Sequence, residues 1–351
     1  MKKLRIGIIG TGGISHSHMQ GYKRLDNLEV VAACDINEER LAEYAAKYDI
    51  PNTFTDYNEM VKMDGLDAVS VCTWNNVHAP AAIAALNAGL NVLCEKPLAL
   101  NAQLGLDMEA AAKKNGKLLM VGFVRRFMQS TEIAKTFIDN GDLGEIYFVK
   151  TKCIRRAGNP CGWFADKKRS GGGPLIDLGV HMIDLSRYLL GKPKAVSVYG
   201  MTSEGIGPRN NIKAFDRYYS KDIADYCDVE DFTTAMVRFD SGAVLQVEVS
   251  FSANIKKDQL TLDLYGNKGG VTVEPDLEIY TEKYDYLTDI TPVWSKSRDN
   301  FDDMFAREIS HYVDCCLNGG ECRNPVEDGV ELMRILDAIY ESAATKHEVI
   351  L

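Results

Sequence analysis

The sequence predicts an α/β protein: a doubly wound parallel sheet first, then a domain built on a large, mostly antiparallel open sheet. Three observations predict it. Strand-like apolar runs alternate with helical patterns from Leu4 to Gly122, as parallel strands joined by crossover helices require. From Ile146 onward, strands with alternating polar and apolar positions follow one another across short turns. At 351 residues the chain is long enough for two full cores. The expected division is 1–122 and 123–351, with the C-terminal helices able to pack back on the first domain.

Composition excludes several classes. A formal net charge of −10 argues against nucleic acid or an anionic membrane as partner. Met1-Lys2-Lys3-Leu4-Arg5 leads at once into a strand, too short for a signal segment, and no apolar run is long enough to span a bilayer. The nine cysteines show no C-x-x-C, and Cys34, Cys72 and Cys94 sit in apolar runs, so reduced thiols and a cytoplasmic location are expected. His16 and His18 are two residues apart and point to different faces of a helix, so no metal is expected.

Residues 4–9 read as a buried strand, and Gly10-Thr11-Gly12-Gly13-Ile14-Ser15 turns directly into a helix. This G-x-G-x-x-S run permits a tight turn and lets backbone approach a pyrophosphate at a helix N-terminus. The next strand, 30–34, ends in Asp35, which can accept both hydroxyls of an adenosine ribose and repels a 2′-phosphate. Arg40 could serve such a phosphate, but the acid favours NAD over NADP. Strand, turn, helix and acid in register point to a dinucleotide site in this parallel sheet; the alternative is a glycine-rich strand–helix turn without a nucleotide.

The alternation continues through the strand 68–73, the loop Trp74–His78, an alanine-rich helix, and the strand 91–94 before Glu95-Lys96-Pro97. Ligands of doubly wound sheets sit beyond the carboxyl ends of strands, where Thr73, Asn75 and Lys96 emerge. Pro97 keeps Lys96 out of helical geometry; its bland alternative is a surface ion pair with Glu95. A helix (102–114) and the strand 118–121 close the domain, and a crossover helix is expected from Phe123 to about Asp139.

The second domain begins with the strand 146–153 and a polar loop, 154–170, carrying Arg155, Arg156, Asn159 and Trp163. Ser170-Gly171-Gly172-Gly173-Pro174 then opens a helix that is apolar on most sides. Three glycines free its backbone, and Pro174 suits a first helical position. Asp177, His181 and Asp184 fall at i, i+4 and i+7, one stripe in an α-helix. A carboxylate one turn from an imidazole fixes its tautomer and raises its pKa, as acid–base work near neutral pH requires. Strands follow at 194–203, 229–239, 243–252, 258–266 and 271–274, one face covered by the Asp177 helix. A polar insertion, 204–228, holds Tyr218, Tyr219 and Tyr226, and helices at about 301–317 and 326–345 read as core-packing.

Three motifs together carry a resemblance over essentially the whole chain: Gly7-Ile8-Ile9-Gly10-Thr11-Gly12-Gly13-Ile14, Cys94-Glu95-Lys96-Pro97, and Gly172-Gly173-Pro174-Leu175-Ile176-Asp177 running on to His181 and Asp184. They resemble the glucose–fructose oxidoreductase / inositol dehydrogenase / rhizopine-catabolism (Gfo/Idh/MocA) oxidoreductase family. The resemblance implies a Rossmann domain, a C-terminal α/β domain whose open sheet makes a homodimer or homotetramer, and a nicotinamide cofactor between them. By position it implies that Gly10, Gly12, Gly13 and Ile14, with Thr11 among them, hold the pyrophosphate and Asp35 the ribose. Thr73, Asn75, His78 and Glu95 would hold the rest of the cofactor beside Lys96 and Pro97, the Lys96–Pro97 bond being a candidate for cis. Lys96, Asp177 and His181 would face the substrate, with Arg126 beside them. Asn159 and Trp163 are further expected substrate contacts, an amide for hydroxyls and a flat ring for a sugar face.

The function this implies is NAD-dependent oxidation of a secondary alcohol of a sugar, cyclitol or related polyol to a ketone. His181 or Lys96 serves as the acid–base group. Two alternatives are a redox-neutral NAD-dependent glycosidase and a non-catalytic nicotinamide-binding regulator.

Overall fold

The structure, a computed structural model, describes residues 3–213, 218–220, 226–294 and 300–351. The chain divides into two compact units. One comprises residues up to Phe127 with a C-terminal stretch ending at Val330; the other starts at Met128 and resumes at Glu331.

The first unit holds β1 (Leu4–Ile9), β2 (Leu28–Cys34), β3 (Asn52–Phe54), β4 (Ala68–Val71), β5 (Asn91–Glu95) and β6 (Leu119–Gly122). All pair in parallel, in the order β3-β2-β1-β4-β5-β6. The winding reverses between β1 and β4, and a crevice at such a switch point is where these sheets bind ligands. Gly10 closes the reversal. Its φ is +91°, and a Cβ there would lie 2.6 Å from the Cys72 carbonyl oxygen. β3 has only three residues, too few to show a period in the sequence.

The expected crossover helix from Phe123 is two elements: a 3₁₀ turn, Val124–Phe127, and a helix, Gln129–Asp139. The turn belongs to the first unit, where Arg126 and Phe127 are buried. The helix Gly13–Tyr22 packs against the helix Phe301–Asn318 closely enough that a Cβ on Gly21 would stand 2.8 Å from Ile309 Cγ1.

The second unit contains β7 (Ile146–Ile154), β8 (Ala195–Ser203), β9 (Phe232–Phe239), β10 (Val244–Ser250), β11 (Gln259–Gly266), β12 (Gly269–Glu274), β13 (Glu278–Lys283), β14 (Tyr286–Ile290) and β15 (Val349–Ile350). They form one sheet in the order β14-β13-β12-β11-β7-β10-β9-β8-β15, antiparallel except where β7 runs beside β10. The last three strands were not expected from the sequence. Val149, Val237, Val247 and Leu264 line a buried face, on which the helix Val180–Leu189 and the turn before it lie. On the other face Tyr199 stands opposite Met236, and both are exposed, as are Met201, Tyr265 and Tyr280. Of the insertion 204–228, residues 214–217 and 221–225 lie outside the described residues.

Gly21→Ala tests the helix contact of the first unit. Alanine gains roughly 1 kcal/mol in helix propensity, whereas overpacking costs about 1–3 kcal/mol. Thermal melts should show net destabilisation, partly recovered in the double variant with Ile309→Ala.

Candidate functional site

The glycines of the first motif divide by environment. Gly10 is held by backbone, as above, but a Cβ on Gly12 or Gly13 would meet nothing within 4 Å. Gly12 caps the helix Gly13–Tyr22 without a side-chain bond, and no acid occupies the first turn. Open space beside unsatisfied helix N–H groups is what a bound anion requires. Ser15, at the third motif position, is buried, and its hydroxyl donates to the Gly12 carbonyl at 2.6 Å. Ile14 is half-buried at the start of the same helix.

Asp35 is buried, and its carboxylate accepts from the Thr11 N–H and hydroxyl, both at 2.8 Å, and from the Asn37 N–H at 2.9 Å. Arg40 donates to both of its oxygens, at 2.6 and 3.2 Å. Burial alone would raise the Asp35 carboxyl, but Arg40 and the backbone donors outweigh it and hold it below the ordinary value. Arg40 is thus committed to the acid, which binds the Gly10–Gly12 turn to the end of β2. The residues fit a dinucleotide: an open glycine cradle with an anionic carboxylate beside it.

At the end of β5, Glu95 is buried and bonded to His18. His18 Nε2 lies 2.9 Å from Glu95 Oε1, His18 Nδ1 lies 3.1 Å from Ser70 Oγ, and Ser70 Oγ lies 2.7 Å from Tyr22 Oη. The other carboxylate oxygen accepts the Lys96 N–H at 3.1 Å. Burial would raise the Glu95 carboxyl, but the His18 bond, with Lys96 nearby, holds it down. The Lys96–Pro97 peptide is cis. Among the described residues 92–99, Lys96 alone is not buried.

His78 is buried with Nδ1 2.7 Å from the Pro97 carbonyl and Nε2 3.2 Å from the Thr73 carbonyl. Burial lowers its pKa, so the ring is neutral and has one N–H to give; the shorter contact takes it. His78, which follows β4, therefore binds the loop after β5 through the Pro97 carbonyl. Asn75 is buried; Thr73 is half-buried, its hydroxyl donating to the Trp74 carbonyl. Arg126 is fully buried, its guanidinium donating to Asp328 and to the Arg323 carbonyl, both at 2.7 Å. These contacts fix the guanidinium within the first unit.

In the second unit, the α-helix expected through Asp177 begins as a π turn, Leu175–Gly179, and becomes α-helical only at Val180. A π turn carries more residues per turn, so it shifts Asp177 in phase against the residues after it. The expected three-residue stripe is broken. Asp184 is buried at 3 % exposure, whereas Asp177 and His181 are the two residues among the described 172–187 that are not buried. Only Gly171 of the three glycines has a positive φ, +85°. Gly172 and Gly173 serve close approach instead: a Cβ would lie 2.0 Å from Tyr340 Oη on the first and 2.3 Å from the Glu230 carbonyl oxygen on the second.

Asn159 is buried and its side-chain oxygen accepts the Cys161 N–H at 2.8 Å, a turn-making contact. Trp163 is half-buried and stacked on Phe164 at 4.0 Å, and Phe164 meets Tyr218 edge-on at 6.2 Å. Burial, with Asp177 adding to it, raises the Tyr218 phenol. An aromatic group thus lies on the Asp177 side of this unit. Sequence reasoning passed over His18 and Glu230. An acid pair, Glu230-Asp231, opening an apolar strand was the available signal.

The two kinds of glycine make separable predictions. Gly10→Ala should lower stability by about 2–4 kcal/mol, through strain at positive φ and overpacking. Gly13→Ala should leave the melting temperature unchanged or raised while weakening NADH binding at least about tenfold, read by fluorescence titration. Equal losses of stability in both would refute the open cradle.

Comparison with known proteins agrees with this geometry. The profile of the GFO/IDH/MocA oxidoreductase family, NAD-binding Rossmann fold, matches residues 4–123, and that of the GFO/IDH/MocA C-terminal domain matches 131–272. The chain is 33 % identical over 346 residues to D-glucoside 3-dehydrogenase of Escherichia coli (strain K12), covering 97 % of this chain and 96 % of that one. It is 30 % identical over 271 residues to myo-inositol 2-dehydrogenase of Thermotoga maritima, covering 76 % and 74 %. Levoglucosan dehydrogenase in complex with NADH and L-sorbose superposes with a TM-score of 0.88 at 25 % identity, covering 100 % of this chain and 99 % of that one. With a glycine cradle and acid at the switch point of a 3-2-1-4-5-6 sheet and matches running through both units, the chain belongs to the Gfo/Idh/MocA oxidoreductase family and is an NAD-binding dehydrogenase.

Proposed function

We propose that the protein reversibly oxidises a secondary alcohol of a sugar, cyclitol or related polyol to a ketone. The first unit serves as cofactor domain and the second as substrate domain. NAD, held by Gly10–Ile14 and Asp35, supplies the hydride acceptor. One observation carries the assignment of the chemical groups: Lys96, Asp177 and His181 are the residues that reach a surface in runs otherwise buried. An ionisable side chain at such a position is a candidate for chemistry.

His181 takes the hydroxyl proton, since an imidazole titrates near neutrality, and Asp177 orients it. Lys96 donates to the same oxygen and stabilises the developing negative charge, a large effect where water is excluded. Trp163 and Tyr218 offer flat rings to an apolar sugar face. The substrates in the names of the similar proteins, a D-glucoside and myo-inositol, are both cyclic polyols and support this class.

The exposed face carrying Tyr199, Met201, Met236, Tyr265 and Tyr280 supports assembly into a homodimer or homotetramer through the sheet. Among the described residues no helix is long and apolar enough to cross a membrane. Cysteines buried as thiols in apolar strands, Cys34 and Cys94 among them, support a reducing, cytoplasmic setting.

An NADH-forming screen over inositols, aldoses, their 1,5-anhydro forms and glycosides tests the reading. Cleavage of a glycoside without net NADH would replace it with redox-neutral hydrolysis, and binding without any turnover would point to a regulator. Lys96→Ala and His181→Ala should each cut kcat by roughly two to four orders of magnitude while NADH affinity stays within about threefold.

A further inference from the structure

We propose that Glu230 is a positioning residue: its carboxylate clamps the Gly172–Leu175 turn and so sets the phase in which Asp177 and His181 leave their helix. The proposal rests on the roles given above to those two residues.

Gly172 N–H donates to Ser170 Oγ at 3.3 Å. Gly173 N–H donates to Glu230 Oε2 at 2.9 Å and Leu175 N–H to Glu230 Oε1 at 3.1 Å. Pro174 has no N–H, and the next two amides, Ile176 and Asp177, both donate to the Gly173 carbonyl at 3.1 Å. No side chain within the turn caps it, so Glu230 takes the place of a cap from another element. Tyr340 Oη adds a third donor, to Glu230 Oε1 at 3.0 Å.

Three donors on one buried carboxylate use the acceptor-only character of the ionised group. The two amides bind different oxygens, so a carboxamide cannot replace it: one N–H would face an NH₂. The absence of side chains at Gly172 and Gly173 is explained by the same contact, because a Cβ on either would collide with Tyr340 or with Glu230 itself. Burial raises the Glu230 carboxyl despite these bonds, so its charge is held at a cost to stability. Such a cost is characteristic of functional sites.

The sign of that cost is definite. A carboxyl raised in the folded state contributes stability below its unfolded value, and the contribution is lost as pH rises through the folded value. At neutral pH Glu230→Gln therefore removes a buried charge as it removes a hydrogen bond, and it should melt within about 3 °C of the natural chain.

The test is the titration of His181, followed by NMR of the labelled protein and assigned with His181→Asn. In Glu230→Gln the His181 midpoint should move down by about half a unit or more, as Asp177 loses its hold on the ring. Tyr340→Phe, which keeps the carboxylate and removes one donor, should show the same shift at smaller size. With methyl glucoside, kcat of Glu230→Gln should fall at least about tenfold with KM nearly unchanged. An unchanged His181 midpoint in both variants would overturn the proposal, whether or not stability falls. If the natural chain does not turn over methyl glucoside, kcat is read on a substrate from the NADH-forming screen, and the His181 titration still decides the clamp.

Discussion

Buried carboxylates accepting backbone N–H groups hold the loops on which the rest of this structure depends. Asp35 takes the Thr11 and Asn37 amides, Glu95 the Lys96 amide, Glu230 those of Gly173 and Leu175, and Asp231 those of Ile206 and Gly207. Each pins a loop that has no sheet ladder of its own. An ionised carboxylate suits this work because it only accepts, and hydrogen bonds to it are stronger than neutral ones. Loss of such a carboxylate leaves the amides it serves unpaired, a cost set against the relief of a buried charge.

Two of these acids sit one step away from a side chain given a chemical task. Glu95 is bonded to the amide of Lys96, and the Glu230 turn leads directly into Asp177 and His181. The fully buried His18–Ser70–Tyr22 group supports Glu95 in turn. In the roles proposed for Lys96 and His181, backbone held this way limits reorganisation, the source of most electrostatic catalysis. Flexible side chains on rigid backbone anchors are the economical solution.

Much of the architecture was legible because it follows from period. Alternation of strands and helices gave the parallel sheet, and period-two strands gave the open one. The glycine-rich turn with Asp35 at the next strand end marked the proposed nucleotide site. What escaped depends on contacts between residues distant in sequence. Gly172 and Gly173 read as flexible backbone, whereas they make room for Tyr340 and Glu230, which lie far along the chain. The π turn needs a change of phase that no apolar pattern reports. The buried bonds of Arg126 to Asp328 and of Asn159 to the Cys161 amide were not read from the sequence. β13 and β14, at the sheet edge, carry too little burial to show alternation.

The central claim is that Lys96 and His181 serve one chemical step. A double-mutant cycle on kcat, built from Lys96→Ala, His181→Ala and the pair, tests it most directly. Groups acting as a unit are strongly non-additive, so the account predicts a double variant scarcely slower than the worse single one. Losses that multiply would contradict it.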